Sequence, residues 1–160
     1  MKKKALLLKI LYVTLGLTLV MVWGQSCLNK AESTVNSDAV VGLISPVEEL
    51  KNGTPAEVEH YDRLTAVVRK IAHVVEYAVV GFQMMCILYL WGRQRIKDCV
   101  MCLYGGLTVA LIDETIQIFA ERGPLISDLW IDMGGTALGI GMAALIRHIV
   151  IKTTCGNGKP

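Results

Sequence analysis

Arg69-Lys70-Ile71-Ala72-His73-Val74-Val75-Glu76-Tyr77 stands at the mouth of a long apolar run, where ionisable groups are expensive. At 100° per residue, Arg69, Lys70, His73, Glu76 and Tyr77 fall within an arc of roughly 120° on one helix face. Ile71, Ala72, Val74 and Val75 cover the remainder. A polar stripe on a helix that otherwise favours lipid needs partners, and other elements of the chain must supply them.

The composition sets the solvent. Of 160 residues, 53% are hydrophobic and only 19% charged, with a mean hydropathy of +0.49. Soluble domains are less apolar and more charged. The charges also fall in blocks between apolar runs. The expected fold is therefore all-α, an integral membrane bundle forming a single domain over residues 1–160. No basic face with interleaved aromatics exists, so nucleic acid is excluded as a partner.

Four apolar runs are long enough to span, at about residues 5–23, 67–91, 99–120 and 128–149. The first follows Met1-Lys2-Lys3-Lys4 and is longer than a signal-peptide core. Gln25 also stands where a lipoprotein signal ahead of Cys27 would carry a small or apolar residue, so the first helix is read as retained. Residues 25–65 form the longest connection. Their seven acids outweigh three Lys or Arg, and Ala31 to Ile44 has the spacing of an interfacial amphipathic helix. The basic N-terminus, the Arg93–Lys97 turn and the basic tail share one side of a four-span bundle. Basic residues collect on the cytoplasmic side, so the expected topology is N-in, C-in, with residues 25–65 and the short 121–127 turn outside.

That topology brings ionisable groups from separate helices to one depth. His73 and Glu76 lie near the outer end of the second span. Asp113, Glu114 and Gln117 lie toward the outer end of the third, with Arg122 just beyond, and Asp128 and Asp132 open the fourth. A charge at mid-span costs about 2.5–3.5 kcal/mol on insertion scales, so these groups need one another. The cations available are Arg69, Lys70 and Arg122, and five carboxylates outnumber them. Some of the surplus acids should be protonated, share protons, or hold a cation or a cationic ligand. Gly106 lies on the acidic side of the third span. Gly135 and Gly139 lie on that of the fourth, in a small-x-x-x-small pattern that lets backbones approach.

These residues fall into three ordered motifs that resemble those of VanZ-like membrane proteins. Lys70-x-x-His73-x-x-Glu76-Tyr77 with Gly81 is similar to the first, and Asp113-Glu114-x-x-Gln117-x-Phe119-x-x-Arg122 to the second. Asp128-x-x-x-Asp132-x-x-Gly135-x-x-x-Gly139 is similar to the third. Trp23-Gly24-Gln25-Ser26, with Ser33 and Ser37 downstream, matches the family's Ser/Gln-containing exit from the first span more loosely, because Gly24 stands where Ser is common. The resemblance covers most of residues 10 to 145. It implies a bacterial multi-pass protein of the cytoplasmic membrane, related to a namesake that gives low-level resistance to the glycopeptide teicoplanin. It implies no reaction.

The residues themselves leave alternatives open. His73-x-x-Glu76 with Asp113 and Glu114 nearby is a set that a metal site uses, and equally a hydrogen-bonded polar core; no metal and no cofactor is assigned. Arg122 either clamps a phosphate or carboxylate or balances Asp128 and Asp132. Ser127 is read as the N-cap of the fourth span. Cys99-x-x-Cys102 lacks a second pair and is read as two small apolar residues. Two functions follow. One is a non-enzymatic protein whose outward polar cleft binds or shields a membrane lipid, a lipid-linked envelope intermediate or a lipid-tailed glycopeptide. The other is a membrane-embedded enzyme acting on a lipid head group through His73, Asp113 and Glu114, with Arg122 orienting a phosphate.

Overall fold

A computed structural model of the chain describes residues 2–28, 38–43, 51–120 and 126–156. Four helices account for nearly all of them: α1 (Lys2–Ser26), α2 (Pro55–Leu90), α3 (Ile96–Phe119) and α4 (Ile126–Gly156). Each is long and apolar enough to cross a membrane. The all-α four-span bundle expected from hydropathy is thus the architecture found.

The boundaries move where local chemistry outweighs hydropathy. α2 begins at Pro55, well ahead of the expected residue 67. Pro55 at the first helical position has its φ already set, and Glu57 folds back to accept from the Thr54 amide at 2.6 Å. One turn on, Arg63 donates to Glu59 at 2.5 Å. These first turns are helical but polar, so an apolar-run criterion passes over them. Likewise α4 already includes Ile126, which puts Ser127 inside the first turn rather than at the N-cap position. Its hydroxyl donates instead to Asp128 Oδ1 at 3.1 Å. The interfacial helix expected over Ala31–Ile44 lies mostly outside the described residues; residues 38–41 are helical. Asp38 in that segment accepts from the Lys51 ammonium and the Tyr61 hydroxyl, pinning it to the early turns of α2.

At the other end of the bundle, α2 stops in a Schellman turn. The Arg93 amide donates to Leu88 O at 2.9 Å and the Gly92 amide to Tyr89 O at 3.0 Å, with Gly92 at φ 79°. Asp98 then gathers the basic turn. It is 1% exposed, accepts from Arg93 Nε at 2.9 Å and caps α3 through the Arg95 amide at 2.8 Å. Below that turn Met85, Cys102, Ile140 and Ala143 form an apolar core. Cys102 therefore packs as a small hydrophobe, as its spacing implied.

The bundle is organised on the crossing of α2 and α4, and glycines set its closeness. A Cβ on Gly139 would lie 1.9 Å from Ala78 O, one on Gly81 2.3 Å from Thr136 O, and one on Gly135 2.7 Å from Val74 O. These are backbone atoms, which cannot swing aside. α3 joins the same crossing at Gly106, where a Cβ would lie 2.5 Å from Thr136 Cγ2. Lipid tails are as apolar as leucine, so such van der Waals contact is a principal force between helices here. α1 is peripheral; its buried residues, Val22 and Ser26, are confined to its last two turns.

Two outcomes follow. Gly139→Ala and Gly81→Ala should each destabilise the detergent-solubilised protein by about 1–3 kcal/mol or more, read as a fall in melting temperature. Gly141→Ala, with nothing within 4 Å, should leave it unchanged. The Asp38 tie should also respond to acid. Partial burial raises the Asp38 carboxyl, but the Lys51 and Tyr61 bonds prevail and hold it below its usual value. A depressed folded-state value gives stability that is present above the unfolded value and lost as pH falls through the folded one. Proteolysis near residues 38–43 should therefore rise as pH drops below ~4, and Asp38→Asn should show that rise already at neutral pH.

Candidate functional site

The end of α1, the middle of α2, the last turns of α3 and the first turns of α4 converge on one polar cluster. α2 carries His73, Glu76 and Tyr77 on its inward face, α3 carries Asp113, Glu114 and Gln117, and α4 carries Asp132. Asp113, Asp132 and Tyr77 are all 0% exposed. Glu114 and Gln117 are buried too, while His73 and Glu76 are half-buried at the rim.

Each inner carboxylate has named partners. Asp113 accepts from Ser26 Oγ at 2.5 Å and from Gln117 Nε2 at 3.0 Å, so α1 and α3 both fix it. Asp132 Oδ1 lies 3.1 Å from His73 Nδ1, which joins α4 to α2. Asp132 Oδ2 and the Tyr77 hydroxyl are buried and have no hydrogen-bond partner among the described residues. Gln25 Nε2 donates to Glu76 Oε1 at 2.9 Å at the exposed edge between α1 and α2. Donor atoms of His73, Asp113 and Asp132 all come within 4.8 Å of one another. Three helices thus deliver an imidazole and two carboxylates to one point.

The polar stripe does not enter whole. Lys70 is exposed and borders an apolar groove lined by Val67, Ile71, Val74 and Ile131, beside the cluster rather than in it. Arg69 is half-buried, and its Nε has no hydrogen-bond partner among the described residues. Asp128 is half-buried and, among the described residues, accepts from the adjacent Ser127 hydroxyl. Arg122 lies outside the described residues. Gly106, Gly135 and Gly139 take their places in the helix contacts already described. A 120° arc is wide enough to straddle a helix–helix interface, so its Lys70 edge reaches the far side.

Three contributors were absent from the candidate set. Ser26 and Gln25 close the cluster from α1, and sequence pointed to them only through the loosely matched exit motif. Thr136 is fully buried where α2, α3 and α4 meet, its hydroxyl donating to Asp132 O at 3.0 Å. A threonine that bonds back to its own helix gives no sequence signal distinct from an ordinary apolar position.

The family model VanZ/LLP1 matches residues 5–147. No curated protein and no solved structure matches the chain at a significant level.

Because Ser26 is the hydroxyl α1 offers to a fully buried carboxylate, its loss should loosen that helix. Ser26→Ala should cost about 1–2 kcal/mol, seen as a lower melting temperature and faster cleavage after residue 26. Thr18→Ala, whose hydroxyl donates to Thr14 O in its own helix, should serve as a neutral control.

Proposed function

The chain belongs to the VanZ/LLP1 family, and on that footing we propose that it is a non-enzymatic, multi-pass protein of the bacterial cytoplasmic membrane that binds the head group of a cell-envelope amphiphile. The observation that carries this reading is the build of the cluster. A fully buried floor of Asp113, Asp132 and Tyr77 lies beneath a rim of Gln25, Glu76 and His73 that remains partly accessible. Half-buried polar groups over fully buried carboxylates, on a bundle whose outer surface is apolar, suit a molecule with one polar end and one apolar end.

The neighbouring surface suits the other end. The groove of Val67, Ile71, Val74 and Ile131 is wholly apolar, and it flanks His73 and Asp132 in sequence on both of its helices. An acyl or polyprenyl chain would lie there. Lys70 at its border would meet a phosphate, and the rim would take the sugar or peptide portion. Lys70, left out of the polar cluster, gains a use on this reading. Held in the outer leaflet, such a protein would shield a lipid-linked wall intermediate, or sequester a lipid-tailed glycopeptide, and so lower susceptibility to teicoplanin-type drugs.

The measurement is binding of a lipid-linked wall precursor, and of teicoplanin, to protein in nanodiscs, paired with susceptibility of cells expressing it. Lys70→Gln and Glu76→Gln should each weaken binding about tenfold, or ~1.4 kcal/mol, and abolish any protection. Gly141→Ala should change neither. If both polar variants insert normally and match the parent in binding and susceptibility, the reading is wrong.

A further inference from the structure

We propose that His73, Asp113 and Asp132 form a binding site for one divalent transition-metal ion of the Zn2+ or Mn2+ class. The ligands arrive from α2, α3 and α4, with no donor atom further than 4.8 Å from another. His73 Nδ1 and Asp132 Oδ1 are already 3.1 Å apart. With bonds of about 2.0–2.2 Å, two donors on one tetrahedral ion lie about 3.4 Å apart, so this pair is near ligand spacing. Closing Asp113 onto the same ion needs a side-chain shift on the order of 1 Å.

Charge favours the same conclusion. Two carboxylates that are 0% exposed balance one divalent ion, and buried charges are paired or coordinate metals. An imidazole beside carboxylates suits Zn2+ or Mn2+ rather than Ca2+ or Mg2+, whose sites are built of oxygen donors. Asp113 also has the outer hydrogen bonds that ligating carboxylates carry, from Ser26 Oγ and Gln117 Nε2.

Two buried polar atoms of the cluster add a separate observation. The Tyr77 phenol is 0% exposed and its hydroxyl has no hydrogen-bond partner among the described residues. It lies one turn beyond His73, with the two rings parallel within 6°. Asp132 Oδ2, equally buried and without a partner among the described residues, offers the ion a second oxygen. The inference goes beyond the amphiphile reading and does not rest on it, since Lys70 and Glu76, which test that reading, are not ligands here.

The test uses the full chain, purified without a histidine tag, stripped with chelator and titrated separately with Zn2+, Mn2+, Mg2+ and Ca2+. The expected result is one equivalent of Zn2+ or Mn2+ bound, with a rise in melting temperature and little response to Mg2+ or Ca2+. Co2+ in place of Zn2+ should give ligand-field absorption of a coordinated ion. Asp132→Asn and His73→Gln should abolish that absorption, and Ser26→Ala should weaken affinity about 10–100-fold. His60→Gln and His148→Gln, both exposed, should bind as the parent does. Failure of the parent to bind any of the four ions stoichiometrically would overturn the site. So would equal binding by Asp132→Asn and His73→Gln. Neither result would bear on lipid binding by the Lys70 and Glu76 variants, so the two ideas fail separately.

Discussion

Burying Asp113 and Asp132 completely inside an apolar bundle is the constraint on which the other contacts turn. In a bilayer neither carboxylate has water to fall back on, so each must be met by a group from another helix. Asp113 is met by α1 through Ser26, and Asp132 by α2 through His73. Apolar packing alone would allow the helices to rotate about their axes, because one greasy face is much like another. The two buried acids remove that freedom, since a turn in either helix would strand a charge in hydrocarbon.

The glycine contacts serve the same arrangement from the apolar side. His73 can reach Asp132 only because α2 and α4 approach closely at Gly135, Gly139 and Gly81, where a methyl group would strike backbone. Thr136 sits at this point, against Gly81 and Gly106 together. Shape and charge therefore agree on one registration of three helices. The fourth, α1, packs Val22 against Tyr77 and Ala110 and adds polar bonds from Gln25, Ser26 and the Trp23 indole, which donates to Val109 O at 3.5 Å.

Much of this was legible in the residues. Four apolar runs separated by charged blocks fix the number of helices, and carboxylates inside spans announce that those helices meet. His73, Asp113 and Asp132 were identified because charged groups are costly in lipid, and cost is readable one residue at a time. What was not legible depends on rotation and local capping. Lys70 lies 60° from His73 on the same stripe, yet that difference moves it from the cluster to the lipid-facing groove. The early start of α2 rests on Thr54, Pro55 and Glu57, a signal of capping chemistry rather than of hydropathy. Ser26 is a small polar residue at a span end, where serine is ordinary, and only its partner 87 positions away gives it meaning.

The unbroken course of α2 has a mechanical side. Thirty-six residues at about 1.5 Å each make a rod of roughly 54 Å, whereas hydrocarbon is about 30 Å thick. The surplus stands clear of the lipid as a stiff mast, stayed near its tip where Asp38 holds Tyr61. A mast without a joint transmits leverage. A tilt imposed on Tyr61 would be carried along this one continuous helix to His73, about three turns away.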